Sequence, residues 1–212
     1  MDSAHSETEL KLHCENLMPV RRRLESMGAR LQGERVLERN LRYEDAANSL
    51  AARNIVLRLR QDRRARLTLK MPGASPPGRD AILQRFEAEV EVSDFDTVAL
   101  ILERLGYQVQ LHYEKYRSTW ALGTAEIALD ELPCGNFVEI EGDAAQIEHA
   151  VMALALEAAP RLPMSYAVIF DEIQAYLGLP LHELSFDAFA NIAMPPGFYS
   201  DLATRYGAHG QS

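Results

Sequence analysis

Between Val56 and Lys70 the sequence reads VLRLRQDRRARLTLK, and Arg58, Arg60, Arg63, Arg64, Arg66 and Lys70 place six cations within thirteen positions. A run this basic is ordinarily a solvated face. Its order argues otherwise. Arg58 and Arg60 share a parity with Val56 while Leu57 and Leu59 take the other, and Arg66, Thr68 and Lys70 alternate in the same way with Leu67 and Leu69. A period of two belongs to β-structure, where successive side chains point to opposite faces of a sheet. The segment therefore predicts two strands joined by a turn at QDRRA, each with one charged and one apolar face.

The same alternation recurs through the first two thirds of the chain. Glu7, Glu9 and Lys11 alternate with Thr8, Leu10 and Leu12, and Arg85, Glu87, Glu89 and Glu91 oppose Phe86, Ala88, Val90 and Val92. Tyr113, Lys115, Arg117 and Thr119 alternate with Glu114, Tyr116, Ser118 and Trp120. Glu126, Ala128 and Asp130 oppose Ile127 and Leu129, while Phe137, Glu139 and Glu141 oppose Val138 and Ile140. At least seven strands are predicted from these segments. Helical periodicity lies between them: residues 16 to 31, with Pro19 near the start and Gly28 near the end; residues 94 to 105, with Ser93 as the cap and Gly106 as the stop; and residues 144 to 159. After Pro160 the pattern changes to a helix over 164 to 177 ending at Gly178, then short helical stretches broken by MPPG at 194 to 197, with a frayed end from Gly207. The chain divides into a domain over residues 5–177 and a helical extension, partly flexible, over 178–212.

An antiparallel sheet with one polar face usually turns it to water. Such faces are rich in Thr, Ser, Gln and Lys, whereas these concentrate Glu, Arg and Lys at matching positions of six strands. Closing the strands with the charges inside and helices on the apolar outer face accounts for that ordering, provided the interior charge nearly cancels, since unpaired buried charges are costly. The count permits it: Glu7, Glu9, Glu87, Glu89, Asp130, Glu139 and Glu141 stand against Lys11, Arg58, Arg60, Arg66, Lys70, Lys115 and Arg117. A lumen of this kind is a poor folding core and a good site for a highly charged anion with metal ions. Glu-x-Glu on one strand puts two carboxylates on one face about 7 Å apart, which suits hard divalent cations such as Mg²⁺ or Mn²⁺. Arginines beside them offer fork geometry to phosphate oxygens.

Other chemistries find little support. The histidines His5, His13, His112, His149, His182 and His209 form no metal-binding spacing, and Cys14 and Cys134 are isolated, so two buried thiols are expected. The formal charge of −9 argues against nonspecific nucleic-acid binding. No run approaches the ~20 apolar residues of a membrane helix. The start, MDSAHSETELKLHC, has no basic region leading into an apolar stretch, and the cytoplasm is the expected compartment.

Glu7-Thr8-Glu9-Leu10-Lys11 resembles the Glu-x-Glu-x-Lys signature of the CYTH superfamily, the triphosphate tunnel metalloenzymes, which include class IV adenylyl cyclases and thiamine triphosphatases. LRLR at 57 to 60, LTLK at 67 to 70, RFEAEVEV at 85 to 92, EKYR at 114 to 117, ALDELPCGNFVEIEG at 128 to 142 and SY at 165 and 166 are similar to further family blocks in the same order. The spacing most resembles the bacterial class IV cyclase-like branch. The resemblance implies an α+β fold, an eight-stranded antiparallel β-barrel tunnel with helices packed outside, whose interior binds a linear triphosphate and one or two Mg²⁺ or Mn²⁺ ions. It implies Glu7, Glu9, Asp130, Glu139 and Glu141 as metal ligands, and Lys11, Arg58, Arg60, Lys70 and Arg117 as the triphosphate grip. Arg66 and Lys115 either join that grip or pair with neighbouring glutamates. Glu87 and Glu89, with Lys70 beside them, are the candidate catalytic set, able to orient water or hold a second metal.

Two departures stand out. Where the family commonly carries an aromatic pair and an Asp, this chain reads Arg42-Tyr43-Glu44-Asp45, so Arg42 is either a further phosphate contact or a surface residue. After SYAVIFDEI the resemblance ends, and the tail could close a tunnel mouth, form a homodimer contact or pack outside. The triphosphate grip is legible and a base pocket is not. That favours hydrolysis of inorganic tripolyphosphate or an organic triphosphate, with conversion of ATP to cyclic AMP and pyrophosphate as the alternative and a non-catalytic polyphosphate-binding module as a third reading. The partner is a triphosphate-containing small molecule, with no nucleic acid or membrane.

Overall fold

A computed structural model describes residues 6–73, 82–178 and 183–208. The basic segment forms a hairpin, β3 (Val56–Gln61) and β4 (Ala65–Pro72), as its alternation dictates. Its turn is closed by the Asp62 carboxylate, which accepts from the Arg64 amide at 2.8 Å. The remaining long strands are β1 (Ser6–Cys14), β2 (Arg30–Asp45), β5 (Leu83–Val92), β6 (Tyr107–Leu122), β7 (Ala125–Leu132) and β8 (Gly135–Glu141). All pair antiparallel in the order β2-β3-β4-β5-β1-β8-β7-β6, and β6 returns to β2, closing the sheet into a ring. The ring is not a regular barrel: the β2–β6 seam shifts register near Gly33, again before Val36, and once more between Arg42 and Tyr43.

Strand β2 occupies a stretch where the sequence patterns predict only the end of a helix. The helix there, α1 (Met18–Ser26), stops five residues earlier than the predicted 31, and Gly28 follows at φ +71°. Arg35 and Arg39 fall on the outward parity of β2 and interrupt its apolar stripe, and the bulges break the period, so alternation does not announce the strand. Helix α3 (Phe95–Arg104) matches its predicted span, but the capping side chain is Asp94 rather than Ser93, accepting from the Thr97 amide at 2.7 Å. Helix α4 (Ala144–Ala153) begins with a capping box between Asp143 and Gln146 and ends six residues short of 159, where Ala155 takes a left-handed turn at φ +55°. A four-residue α2 (Ser49–Ala52) is held by Glu44, which accepts from the amides of Leu50 and Ala51.

Helices cover the outward apolar faces. Val20 and Leu24 of α1 with Ile147, Ala150 and Val151 of α4 pack on Leu10, Leu12, Ile127, Val138 and Ile140, while Phe95 and Leu102 of α3 pack on Leu59 and Tyr43. A third cluster forms at one end of the ring, where inward positions turn from charged to apolar. Leu111, Tyr113, Leu132 and Phe137 meet α5 (Tyr166–Leu177) through Tyr166, Ile169, Phe170 and Ile173. Behind them lie the two-residue β9 (Glu183–Leu184), which pairs parallel with β6, and α6 (Phe198–Ala208). Among the described residues the predicted short helical stretches after 181 resolve into one strand and one helix. Positions 179–182 and 209–212, with His182, His209 and most of the stretch predicted to fray, lie outside the described residues, as does His5. Leu184, Phe189, Phe198 and Tyr199 share this cluster with Tyr113 and Phe137, so residues from both sides of position 178 close the same end of the tunnel. Both cysteines are free and buried, with Cys14 pushed up to about 11 and Cys134 to about 12 by burial.

The docking has a pH signature. His13 stacks on Tyr199, ring centroids 4.0 Å apart, and burial lowers its pKa from 6.5 to about 4. A depressed pKa means the unfolded chain binds the proton more readily, so the contribution of His13 is complete above pH 6.5 and is lost as pH falls through about 4. Urea unfolding from pH 7 down to 4 should show an acid loss roughly 2 kcal/mol smaller in His13→Gln than in the parent. Parallel pH profiles would remove His13 from the docking account.

Candidate active site inside the closed sheet

The ring encloses a cavity of about 330 Å³. Its walls carry Glu7, Glu9, Glu87, Glu89, Glu126, Glu139 and Glu141 against Lys11, Arg58, Arg60, Lys70, Arg85, Lys115 and Arg117. Acids and bases balance, with Glu126 and Arg85 standing where the parity count places Asp130 and Arg66. The signs are segregated by strand: carboxylates come from β1, β5, β7 and β8, and most cations from β3, β4 and β6.

On the basic side, Arg60 reaches Glu38 at 3.4 Å and Glu89 at 3.2 Å, and Arg58 donates to Thr68 at 3.4 Å and to Tyr113 at 3.5 Å. Burial and the neighbouring Arg58 lower Arg60 from its ordinary value, despite Glu38 and Glu89. The Nε–H groups of Arg58 and Arg60 are buried without an acceptor among the described residues. Buried donors of this kind are costly unless satisfied, and a phosphate oxygen is a suitable acceptor. Glu38 of β2 was not identifiable from strand parity. It is buried, and although burial opposes ionisation, Lys115, Arg117 and Arg60 hold it below the usual carboxylate range.

The middle of the lumen is cross-linked. Asp130 is fully buried, bonded to Lys115 at 2.9 Å and to the Nε and Nη2 atoms of Arg117, and it accepts from the Tyr166 hydroxyl at 2.8 Å. It lies behind the lining rather than in it. Arg117 also bonds Glu139, which meets Lys11 at 3.0 Å. Against the burial cost, Lys11 and Arg117 hold Glu139 well below the carboxylate range. Lys11 and Lys115 lie 4.5 and 5.0 Å from the Tyr166 ring centroid, on the first turn of α5. Arg66 turns away to Asp62 at 3.2 Å and to Glu89 at 3.8 Å, and is not among the lining residues.

The acidic side is under-compensated. Lys70 binds Glu7 at 2.5 Å and Glu87 at 2.9 Å, yet burial holds the Glu7 carboxyl above its ordinary value. Among the described residues Glu9, Glu126 and Glu141 have no cation within 4.0 Å. Burial, followed by the charges of Glu7, Glu126 and Glu87, pushes Glu141 up to about 7. Glu126 and Arg85 carry the inward parity of their strands; their places in the wall depend on their level along the strand, which parity does not report.

Metal chemistry fits this wall. Every titratable donor on it is a carboxylate, with no histidine or cysteine lining the cavity. Among the described residues no three such side chains converge closely enough to enclose an ion unaided. Mg²⁺ commonly takes one or two carboxylates and completes its shell with water and substrate oxygens.

Residues 5–162 match the sequence profile of the CYTH domain. The chain belongs to the CYTH domain family. Solved structures agree on the fold. A candidate adenylate cyclase from Vibrio parahaemolyticus is 22% identical over 79% of this chain and 98% of its own, with a TM-score of 0.67. A conserved hypothetical protein from Pyrococcus furiosus is 21% identical over 76% and 97%, with a TM-score of 0.62. A candidate adenylyl cyclase from Hippeastrum, described as having a dominant triphosphatase activity, is 16% identical over 78% and 95%, with a TM-score of 0.57. No curated protein matches the sequence. The CYTH match ends at residue 162, so α5, β9 and α6 lie beyond the matched region.

Proposed function

We propose that this CYTH protein is a divalent-metal-dependent hydrolase of linear triphosphates. One observation carries the reading: among the described residues a single lumen holds buried arginine donors without acceptors on one side and carboxylates with no cation within 4.0 Å on the other. A polyanion bound together with a cation satisfies both at once. When bound, the ion supplies charge neutralisation for the bridging and equatorial phosphate oxygens.

The protein groups divide the remaining work. Arg58, Arg60, Arg117 and Lys11 align the phosphate chain, and Lys115 acts by holding Asp130 and Glu38. Glu87 and Glu89 orient a water molecule, and Lys70 fixes Glu87 for that task. The water oxygen bonds to the terminal phosphorus, the bond from that phosphorus to the bridging oxygen breaks, and the shortened phosphate chain leaves with the electron pair. One water proton passes to a lumen carboxylate. Glu7, Glu9 and Glu141 form the metal-facing wall, with Glu139 tied to Lys11 and Arg117 beside it.

The test is product analysis by ³¹P NMR after incubation with tripolyphosphate, ATP and thiamine triphosphate in Mg²⁺ and in Mn²⁺. Orthophosphate release supports hydrolysis; cyclic AMP with pyrophosphate replaces it with the cyclase reading; binding without turnover sinks both. Arg58→Ala should raise KM at least about tenfold, the size expected for a lost charge-assisted hydrogen bond. An unchanged KM removes Arg58 from the grip.

A further inference from the structure

Among the described residues eight buried side-chain polar atoms have no hydrogen-bond partner, and five of them belong to Glu38, Asn40, Arg58 and Arg60. These four side chains share the inner face of the β2–β3 pair. Asn40 stands opposite Arg60 on β3 and opposite Tyr113 on β6, Arg42 stands opposite Arg58, and Glu38 lies two residues along the same face of β2. Asn40 is the extreme case: it is wholly buried, and both its amide nitrogen and its amide oxygen are without a partner. A primary amide removed from water without hydrogen bonds costs stability. Asn40 does not line the lumen, so direct contact with a ligand there does not account for it. In the free protein the Nη atoms of Arg60 are engaged by Glu38 at 3.4 Å and Glu89 at 3.2 Å, and its Nε–H is left over.

We infer that Asn40 is a positioning residue for Arg60: when a phosphate draws the guanidinium off Glu89, the Asn40 oxygen accepts the Arg60 Nε–H and the Asn40 nitrogen donates to Glu38. The inference rests on the triphosphate reading and adds to it a residue that acts from behind the grip. Directly opposed residues of an antiparallel pair have Cβ atoms about 5 Å apart, which puts an amide within reach of a guanidinium Nε. The hydrogen-bond inventory supports the exchange. The five atoms comprise three donors, Asn40 Nδ2 and the Nε atoms of Arg58 and Arg60, and two acceptors, Glu38 Oε2 and Asn40 Oδ1. Lys115 approaches Glu38 Oε2 no closer than 3.7 Å, which leaves that oxygen free to accept. Pairing two donors with the two acceptors leaves one donor, the Arg58 Nε–H, and a phosphate oxygen takes it. All five atoms are then satisfied in the bound state, whereas none is hydrogen-bonded in the free one. Buried polar groups left unsatisfied in this way mark a functional arrangement more than a folding one. Without Asn40 the guanidinium falls back on Glu89, and the phosphate has to compete with that carboxylate.

The experiment is a double-mutant cycle on the parent, Asn40→Leu, Arg60→Ala and the double variant. It is read by calorimetric titration with a non-hydrolysable imido-bridged triphosphate in Mg²⁺ or Mn²⁺, and by urea unfolding of each protein without ligand. Asn40→Leu should weaken binding at least about tenfold, the scale of a charge-assisted hydrogen bond. In the Arg60→Ala background the same substitution should change affinity less than about twofold, because the group it positions is gone. Asn40→Ala serves as a second variant. The more stable of the two should unfold at no lower urea concentration than the parent, since the amide it removes has no partner in the free protein. Unchanged affinity, an equal loss in both backgrounds, or a lower urea midpoint in both variants overturns the inference and leaves the triphosphate reading standing. A parent that binds no triphosphate with either ion defeats that reading, and the inference with it.

Discussion

Glu141→Gln is expected to lower metal-dependent turnover by at least about a hundredfold while making the metal-free protein more resistant to urea above pH 7. The two effects have one cause. Glu141 faces the lumen with no cation within 4.0 Å among the described residues, and burial together with Glu7, Glu126 and Glu87 pushes it up to about 7. A carboxyl raised in this way contributes most to stability below its unfolded pKa of 4.5, where it is protonated, and that contribution is lost as pH rises through about 7. Glutamine keeps the shape and removes the titration. Urea midpoints without divalent ions should therefore separate parent and variant between pH 5 and 8, with the variant flatter, while steady-state rates in Mg²⁺ and Mn²⁺ report the lost donor. Unchanged turnover would remove Glu141 from the metal wall, and identical urea profiles would show that its carboxyl is not crowded.

Asp130→Asn should have the largest effect on stability, a loss of about 3–5 kcal/mol, because it leaves Lys115 and Arg117 buried without their shared counter-charge. Against a total of about 5–15 kcal/mol for a domain, that is a large share. Tyr166→Phe removes only the hydroxyl that donates to Asp130 and should cost about 1.5–3 kcal/mol. Chemical denaturation of both variants, with and without Mg²⁺, distinguishes two roles. A loss of this size that Mg²⁺ does not alter identifies Asp130 as a positioning residue, holding Arg117 and Lys115 in place. A small loss combined with weakened metal binding would make it a ligand, as the family resemblance implies.

Strand parity made much of this architecture legible because the charged face is the inside of the ring. The β3–β4 hairpin and the inward carboxylates of β1, β5 and β8 follow from alternation alone. Parity gives the face and not the level along the axis, and the places of Asp130 and Arg66 follow from that. Asp130 and Glu126 share one face of β7, but Asp130 pairs with Phe137 at the end where the interior turns apolar, while Glu126 pairs with Glu141 in the lumen wall. Arg66 shares a face with Lys70, yet its place near the turn lets it fold back to Asp62. Glu38 stayed hidden with β2, whose outward Arg35 and Arg39 and seam irregularities erase the alternation. Closure of one tunnel end by α5 and α6 depends on contacts between residues far apart in sequence, such as His13 with Tyr199, and no local pattern reports these.

The most direct test of the lumen as a joint site for a polyanion and a cation is calorimetric titration with a non-hydrolysable imido-bridged triphosphate, with and without Mg²⁺ or Mn²⁺. The account predicts one-to-one binding that tightens at least about tenfold with the ion, a coupling of about 1.4 kcal/mol, and that loses this gain in Glu141→Gln. Absence of binding, or an affinity indifferent to both the ion and Glu141, would contradict it.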